Sequence, residues 1–362
     1  MKGSFVQVIA GSAVLAGAVA AALAAAPQAT SNPLRVSMYA ANGAVEVIVT
    51  NTGRKAARVP GWQLPGNDPT AKLFQVSRDG QPVAYQGALA KRGLPGPADF
   101  VVLPPGQSYR SVVDLGASYD MGKRGQYAVT LASPLQYASL SDGSMLKTAR
   151  GLPMVLQSPT LLLWRDGAAK TTAGNGGSAH KGKPGGGGTV VNGVTFKGCS
   201  TTQISGAGDA VVQARAYSEN AKGYLATGTV GPRYTTWFGA YTSSRYGTAS
   251  QHFAAIDSAM DQSGGQVTIN CGCNQNYYAY VYPTKPYEIF VCKVFWTAPL
   301  AGTDSKGGTL IHEMSHFNVV AGTDDHVYGQ TGAKNLAISD PAAALDNADN
   351  HEYFAENKPA QN

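Results

Sequence analysis

The chain has 362 residues, a length that suggests two domains of ordinary size. Hydrophobic residues make up 43% and charged residues 14%, an ordinary globular balance that does not fit a disordered chain. The formal net charge of +6 is scattered and lacks interleaved aromatic residues, which argues against a nucleic-acid surface.

The N-terminus reads MKGSFVQVIAGSAVLAGAVAAALAAAPQA. One Lys precedes a run of small and apolar residues that ends in Ala-rich sequence before Pro27. This is the layout of a secretory signal peptide over residues 1–26, with cleavage expected after Ala26 or Ala29. The run is Ala- and Gly-rich, no basic stop-transfer cluster follows it, and no other segment is long enough to span a bilayer. A secreted protein without a stable membrane anchor is therefore expected.

Residues 27–170 read as β structure. LRVSMYA, AVEVIVTNTG, LFQVSRDGQPVAY, ADFVVLPPGQSYRSVVDL and GQYAVTLAS carry Val, Tyr and Phe, in places with alternating polarity. NTG, RDG, PPG and SDG punctuate them as turns. Short strands so spaced predict an all-β, immunoglobulin-like sandwich. The segment holds no His and no Cys, so it offers no catalytic constellation and reads as a folding, inhibiting or targeting module. TTAGNGGSAHKGKPGGGGT, residues 171–189, has too little to bury and reads as a flexible linker. Charge divides at the same place. Residues 1–189 hold 18 Lys+Arg against 8 Asp+Glu, net +10, and residues 190–362 hold 10 against 14, net −4. Opposite signs predict that the two halves attract each other.

Residues 190–362 mix element types in an α+β layout. DAVVQARAYSENAKGYLATG places Val211, Val212, Ala214, Ala216 and Tyr217 at helical spacing, and SQHFAAIDSAMDQSG reads as a second helix. QVTINCGC, YAYVYP and EIFVCKVFW read as strands, GGTLIHEMSHFNVV as a helix, and a short helix is expected from about 340 to 356. The four cysteines, Cys199, Cys271, Cys273 and Cys292, are an even set in an exported chain and point to two disulfides rather than a zinc–thiolate cluster. A bridge inside Cys271-Gly272-Cys273 would be strained, so Cys271 and Cys273 must each reach Cys199 or Cys292, in either pairing.

HEMSH places His312 and His316 four apart, on one helical face, where both imidazoles can ligate one zinc ion. Glu313 then points towards the ion without binding it, placed to take a proton from bound water and pass it on. The third ligand is not supplied as HExxHxxGxxH, because Val319 and Gly322 occupy the positions that pattern reserves for Gly and His. Glu352 on a second helix is one candidate. Closer lies GTDDHVYG, residues 322–329: a helix ending near Val320 and turning at Gly322 could swing a carboxylate back to the metal.

HEMSH followed by GTDDHVYG resembles the HExxH and GTxDxxYG pair of the aspzincins, the deuterolysin-type metalloendopeptidases. The resemblance covers residues 190–362 and implies an α+β zincin-type metallopeptidase domain with one catalytic Zn²⁺. It implies Asp325 as third ligand beside His312 and His316, Glu313 as catalytic base, and Tyr328 as a hydrogen-bond donor to the carbonyl oxygen as charge develops. Asp324 reads as a turn residue, and His326 as lying beside the site or on the surface. NADNHEYFAEN, residues 347–357, resembles the corresponding segment of the peptidyl-Lys metalloendopeptidases. That implies Asp349 and Glu352 as an acidic, partly buried S1′ pocket taking Lys, or Arg, after the scissile bond, and the disulfides Cys199–Cys271 and Cys273–Cys292.

The whole chain then reads as a secreted zinc endopeptidase zymogen acting on proteins or peptides. Its 27–170 propeptide would be an intramolecular inhibitor and the mature form a monomer. Lys170, Lys181 and Lys183 lie in or beside the linker, and autocleavage is expected at Ala169–Lys170. The competing readings are a broad-specificity deuterolysin-like protease and a secreted binding or adhesion protein with a structural zinc. No prodomain residue stands out as the one that would block the metal.

Overall fold

A computed structural model describes residues 31–41, 43–66, 70–167 and 188–362. The expected signal peptide, nearly all of the linker, and Ala169 and Lys170 lie outside the described residues.

The N-terminal unit is built of strands: β1 (Leu34–Ala41), β2 (Ala44–Asn51), β3 (Ala57–Pro60), β4 (Phe74–Arg78), β5 (Gln81–Pro82), β6 (Leu89–Lys91), β7 (Phe100–Leu103), β8 (Ser108–Val113), β9 (Gly125–Pro134), β10 (Ser139–Leu140), β11 (Val155–Gln157) and β12 (Leu161–Arg165). Alternation makes them. β2 buries Val45, Val47 and Val49, and β9 buries Tyr127, Val129 and Leu131, with the intervening residues turned outwards. Three antiparallel sheets, β1-β2-β8, β10-β3-β7 and β11-β9-β4-β5 with β12 also on β9, enclose one apolar core. β6 belongs to none of them.

The C-terminal unit carries β13 (Thr189–Val191), β14 (Val194–Lys197), β15 (Thr268–Asn270), β16 (Ala279–Val281) and β17 (Glu288–Val291). Its helices are α1 (Thr201–Ala226), α2 (Pro232–Phe238), α3 (Ser243–Met260), α4 (Lys293–Thr297), α5 (Lys306–His316), α6 (Gly329–Ser339), α7 (Pro341–Leu345) and α8 (Ala348–Glu356). Thr189, expected in the linker, already opens β13. The sheet order is β13-β14-β15-β17-β16-β6, so β6 of the N-terminal unit completes the sheet as an edge strand. β14, β15 and β17 are parallel, while β16 runs antiparallel to β17 and β6 antiparallel to β16. Cys199–Cys271 ties the entry of α1 to the end of β15, and Cys273–Cys292 ties the following loop to the entry of α4.

Several boundaries differ from the sequence expectation for local reasons. α1 begins at Thr201 because Ser200 and Gln203 form a capping box. EIFVCKVFW divides, since Cys292 leaves the strand to cap α4. The helix expected over 340–356 is two, α7 and α8, separated at Asp346 and Asn347. α5 ends at His316 rather than near Val320: Phe317 is extended, and Thr323 N donates to Ser315 O at 3.1 Å, turning the chain straight back.

α5 is held tightly at its start, where Ser305 Oγ accepts from Gly308 N at 2.9 Å. Gly308 faces α8, and a Cβ there would lie 2.1 Å from Glu356 Oε1. That carboxylate is pinned by Ser305 N at 2.8 Å and Ser305 Oγ at 2.7 Å. Gly308→Ala would gain about 1 kcal/mol of helix propensity but incur overpacking of roughly 1–3 kcal/mol. The expected outcome is a lower Tm, read by thermal unfolding; an unchanged or raised Tm would mean Glu356 is free to move.

Candidate active site

The HEMSH residues lie on α5, with His312, Glu313 and His316 fully buried. The two Nε2 atoms face each other at 3.2 Å. Asp325, reached after the turn at Gly322, places Oδ1 3.3 Å from His312 Nε2 and 3.5 Å from His316 Nε2. Gly322 takes φ +64°, a conformation that favours Gly. Zinc bonds of roughly 2.0–2.1 Å in tetrahedral array set ligand atoms about 3.3 Å apart, which matches this triangle. Both Asp325 oxygens and both Glu313 oxygens are buried without a hydrogen-bond partner. Unpaired carboxylates of this kind are costly unless a cation joins them, so the donor set fits zinc.

The ligand rings are fixed from behind. His316 Nδ1 lies 2.7 Å from Thr323 O, and His312 Nδ1 lies 2.8 Å from Asp349 Oδ1 and 3.4 Å from Glu352 Oε2. His326 turns away to Asp346 Oδ2 at 2.8 Å, and Asp324 pairs with Lys72 of the N-terminal unit at 2.5 Å.

Across this site runs β6. It pairs with β16 in the register Leu89↔Val281, Ala90↔Tyr280 and Lys91↔Ala279, and Tyr278 N donates to Lys91 O at 3.0 Å. Tyr328 OH donates to Ala90 O at 3.0 Å. The Lys91 side chain enters a closed pocket, with Nζ 2.6 Å from Glu352 Oε2 and 3.4 Å from both Asp349 Oδ1 and Asp304 Oδ1. Asp349 and Glu352 are buried, at 1% and 0% exposed, while Asp304 at the rim of the pocket is partly exposed.

The family model described as a lysine-specific metallo-endopeptidase, the aspzincins, matches residues 224–356. An "Extracellular protease" of Aeromonas hydrophila is 44% identical over 320 residues, covering 88% of this chain and 89% of the relative. The chain belongs to the aspzincin family. A peptidyl-Lys metalloendopeptidase of Grifola frondosa is 35% identical over 337 residues, 88% of each chain. A solved zinc peptidase from Grifola frondosa is 44% identical, covering 45% of this chain and 100% of that one, with TM-score 0.43. The protein is thus a zinc metalloendopeptidase, and no helix among its described residues is long and apolar enough to cross a membrane.

Charge in this aspzincin's site follows from burial and neighbours. Burial pushes the Glu313 carboxyl up to about 7, within reach of a general base's working range. Burial works to lower the Lys91 pKa, but Asp349, Glu352 and Asp304 outweigh it and hold the ammonium well above its usual value. Sequence reading missed Asp304 and Tyr353. Asp304 comes from the loop before α5 and accepts from Tyr353 OH at 2.7 Å, while the Tyr353 ring lies 5.8 Å from Lys91 Nζ. It missed Lys91 too, whose one signal is the Ala90-Lys91 pair.

Proposed function

We propose that the protein is a secreted zymogen of an endopeptidase that cuts on the N-terminal side of Lys, and less readily Arg. The observation that carries this reading is the Lys91 ammonium buried among three carboxylates while the preceding carbonyl meets Tyr328. A chain segment lying antiparallel on an edge strand, with its carbonyl accepting from Tyr328 OH, has the posture of a substrate.

His312, His316 and Asp325 would hold the zinc, which would supply Lewis-acid chemistry to the scissile carbonyl and to a water molecule. Glu313, buried and without a protein partner, takes the water's proton and delivers it to the leaving amine. Tyr328 OH steadies the carbonyl oxygen as negative charge builds on it. Asp349 and Glu352, joined by Asp304, select the cationic side chain that follows the cut. A broad-specificity site would not need a closed, triply acidic pocket.

The N-terminal unit is read as an immunoglobulin-like prodomain that inhibits its own enzyme by presenting Ala90–Lys91. It follows a signal peptide, is attached through a linker, and is released by a cut at Ala169–Lys170 to leave a monomer.

The test is a digest of a denatured protein mixture by the zinc-loaded chain after it has matured, with new N-termini read by mass spectrometry. Glu313→Gln runs alongside. New termini starting with Lys, absent from the variant, are the expected result. Termini of mixed type would remove the role of Asp349 and Glu352, and equal cleavage by the variant would remove that of Glu313.

A further inference from the structure

If β6 lies as a substrate lies, the residue after Lys91 marks the next subsite on the primed side. That residue is Arg92, and it is 9% exposed. Its guanidinium carbon lies 4.5 Å from the ring centroid of Tyr277 and 5.0 Å from that of Trp62, while Nη2 donates to Thr70 Oγ1. The cation is therefore sandwiched between two aromatic faces. Trp62 and Thr70 belong to the prodomain and leave with it; Tyr277 belongs to the catalytic unit and stays.

Tyr277 is built to stay in place. Its carbonyl accepts from Val294 N at 3.0 Å, and its neighbour Tyr278 accepts from Cys292 N at 2.8 Å. Cys273–Cys292 closes the loop that carries both. Tyr278 N also holds the Lys91 carbonyl at 3.0 Å, so the same short segment fixes the substrate backbone and offers the ring.

We propose that Tyr277 is the platform of an S2′ subsite that favours Arg directly after the Lys at the cleavage point. This rests on the Lys-directed reading above and adds a second specificity determinant to it. A planar guanidinium stacks on an aromatic face better than an ammonium does, so Arg is preferred over Lys at this position. The groove supplies a competing influence, because Lys293 lines it together with Arg92, Tyr277 and Asn274. Long-range charge alone would then favour an acidic residue there. Contact with the ring face decides otherwise, since the guanidinium carbon stands 4.5 Å from the Tyr277 centroid whereas an exposed rim charge is screened by solvent.

The experiment compares quenched fluorescent peptides that share an Ala-Lys cleavage point and differ only in the next residue: Arg, Lys, Ala or Glu. The matured, zinc-loaded enzyme is assayed with each for kcat and KM. Cleavage before Lys-Arg is expected to exceed Lys-Ala by about five-fold in kcat/KM, mostly through KM, with Lys-Glu the poorest. Tyr277→Phe is expected to keep the Arg-to-Ala ratio, and Tyr277→Leu to bring it near one, each ratio being internal to its variant. A wild-type ratio near one, or Lys-Glu as the best substrate, would overturn the subsite while leaving cleavage before Lys intact. Cleavage with no preference for the Lys bond would instead overturn the Lys-directed reading, and this proposal with it.

Discussion

Replacing Lys91 by Ala is expected to weaken the N-terminal unit's hold on the C-terminal unit by about 10²–10⁴-fold. The effect is large because of what is left behind. Asp349 and Glu352 lie inside the protein, where the single Lys91 ammonium offsets part of their charge, and its removal leaves both buried without that cation. Breaking a buried pair in this way costs roughly 3–5 kcal/mol, far above the 0–1 kcal/mol of an exposed bridge. Lys72–Asp324 at the same interface, with both side chains partly exposed, is of the weaker kind. The measurement is peptidase activity of the full, zinc-loaded chain before any processing, together with its Tm. Early activity and a lowered Tm are expected for Lys91→Ala. A variant no more active before processing and as stable as the parent would remove Lys91 from the proposed inhibition.

The same pair has a defined pH range. The Lys91 ammonium is held above its usual 10.5 in the folded protein, so its contribution is complete below that value and lost only as pH rises past the still higher folded one. Raising the pH from 7 to 9 should therefore not loosen the N-terminal unit by deprotonating Lys91.

What was legible in the sequence was what short spacing encodes. His312, Glu313 and His316 sit on one turn of helix whatever the remainder of the fold does, and Asp325 needs only a tight turn beyond it. The strands β2 and β9 were visible because their outward and inward residues alternate. Features that depend on distant backbone partners were not. β6 is three residues long, and what makes Leu89–Lys91 a strand is β16 of the other unit. A Lys read in isolation belongs on the surface; only the fold shows that Lys91 is buried. α2 carries a buried Arg233 whose Nε donates to Phe354 O at 2.9 Å, a partner far along the chain. Asp304 lies on a loop with no motif around it, and only its contacts with Tyr353 of α8 and Lys91 of β6 make it part of the pocket. The attraction expected from opposite net charges did find its residues, Lys72 on Asp324 and Lys91 on the acidic pocket.

Asp349 and Glu352 are expected to part company when neutralised singly, although both face Lys91. Glu352→Gln removes the carboxylate nearest the ammonium, at 2.6 Å, and should lower the preference for Lys over an uncharged residue by about 10²-fold or more. Asp349 has a second task. Its Oδ1 stands 2.8 Å from Nδ1 of His312, and its Oδ2 accepts from Gly329 N at 2.6 Å, next to Tyr328. A carboxylate behind a ligand imidazole fixes the ring and raises its basicity, and losing it typically costs 10–100-fold in metal affinity. Asp349→Asn should therefore lower zinc retention against a competing chelator as well as Lys selectivity, whereas Glu352→Gln should lower selectivity with much the smaller effect on zinc. The two readouts are separable: metal content by competition titration, selectivity by the ratio of kcat/KM for matched Lys and Ala peptides at saturating zinc. Equal zinc loss in both variants would mean that Glu352, 3.4 Å from the same Nδ1, shares the task of orienting His312. If neither variant lost zinc, the carboxylates would serve the substrate alone, and the coupling between metal site and specificity pocket through His312 would have to be abandoned.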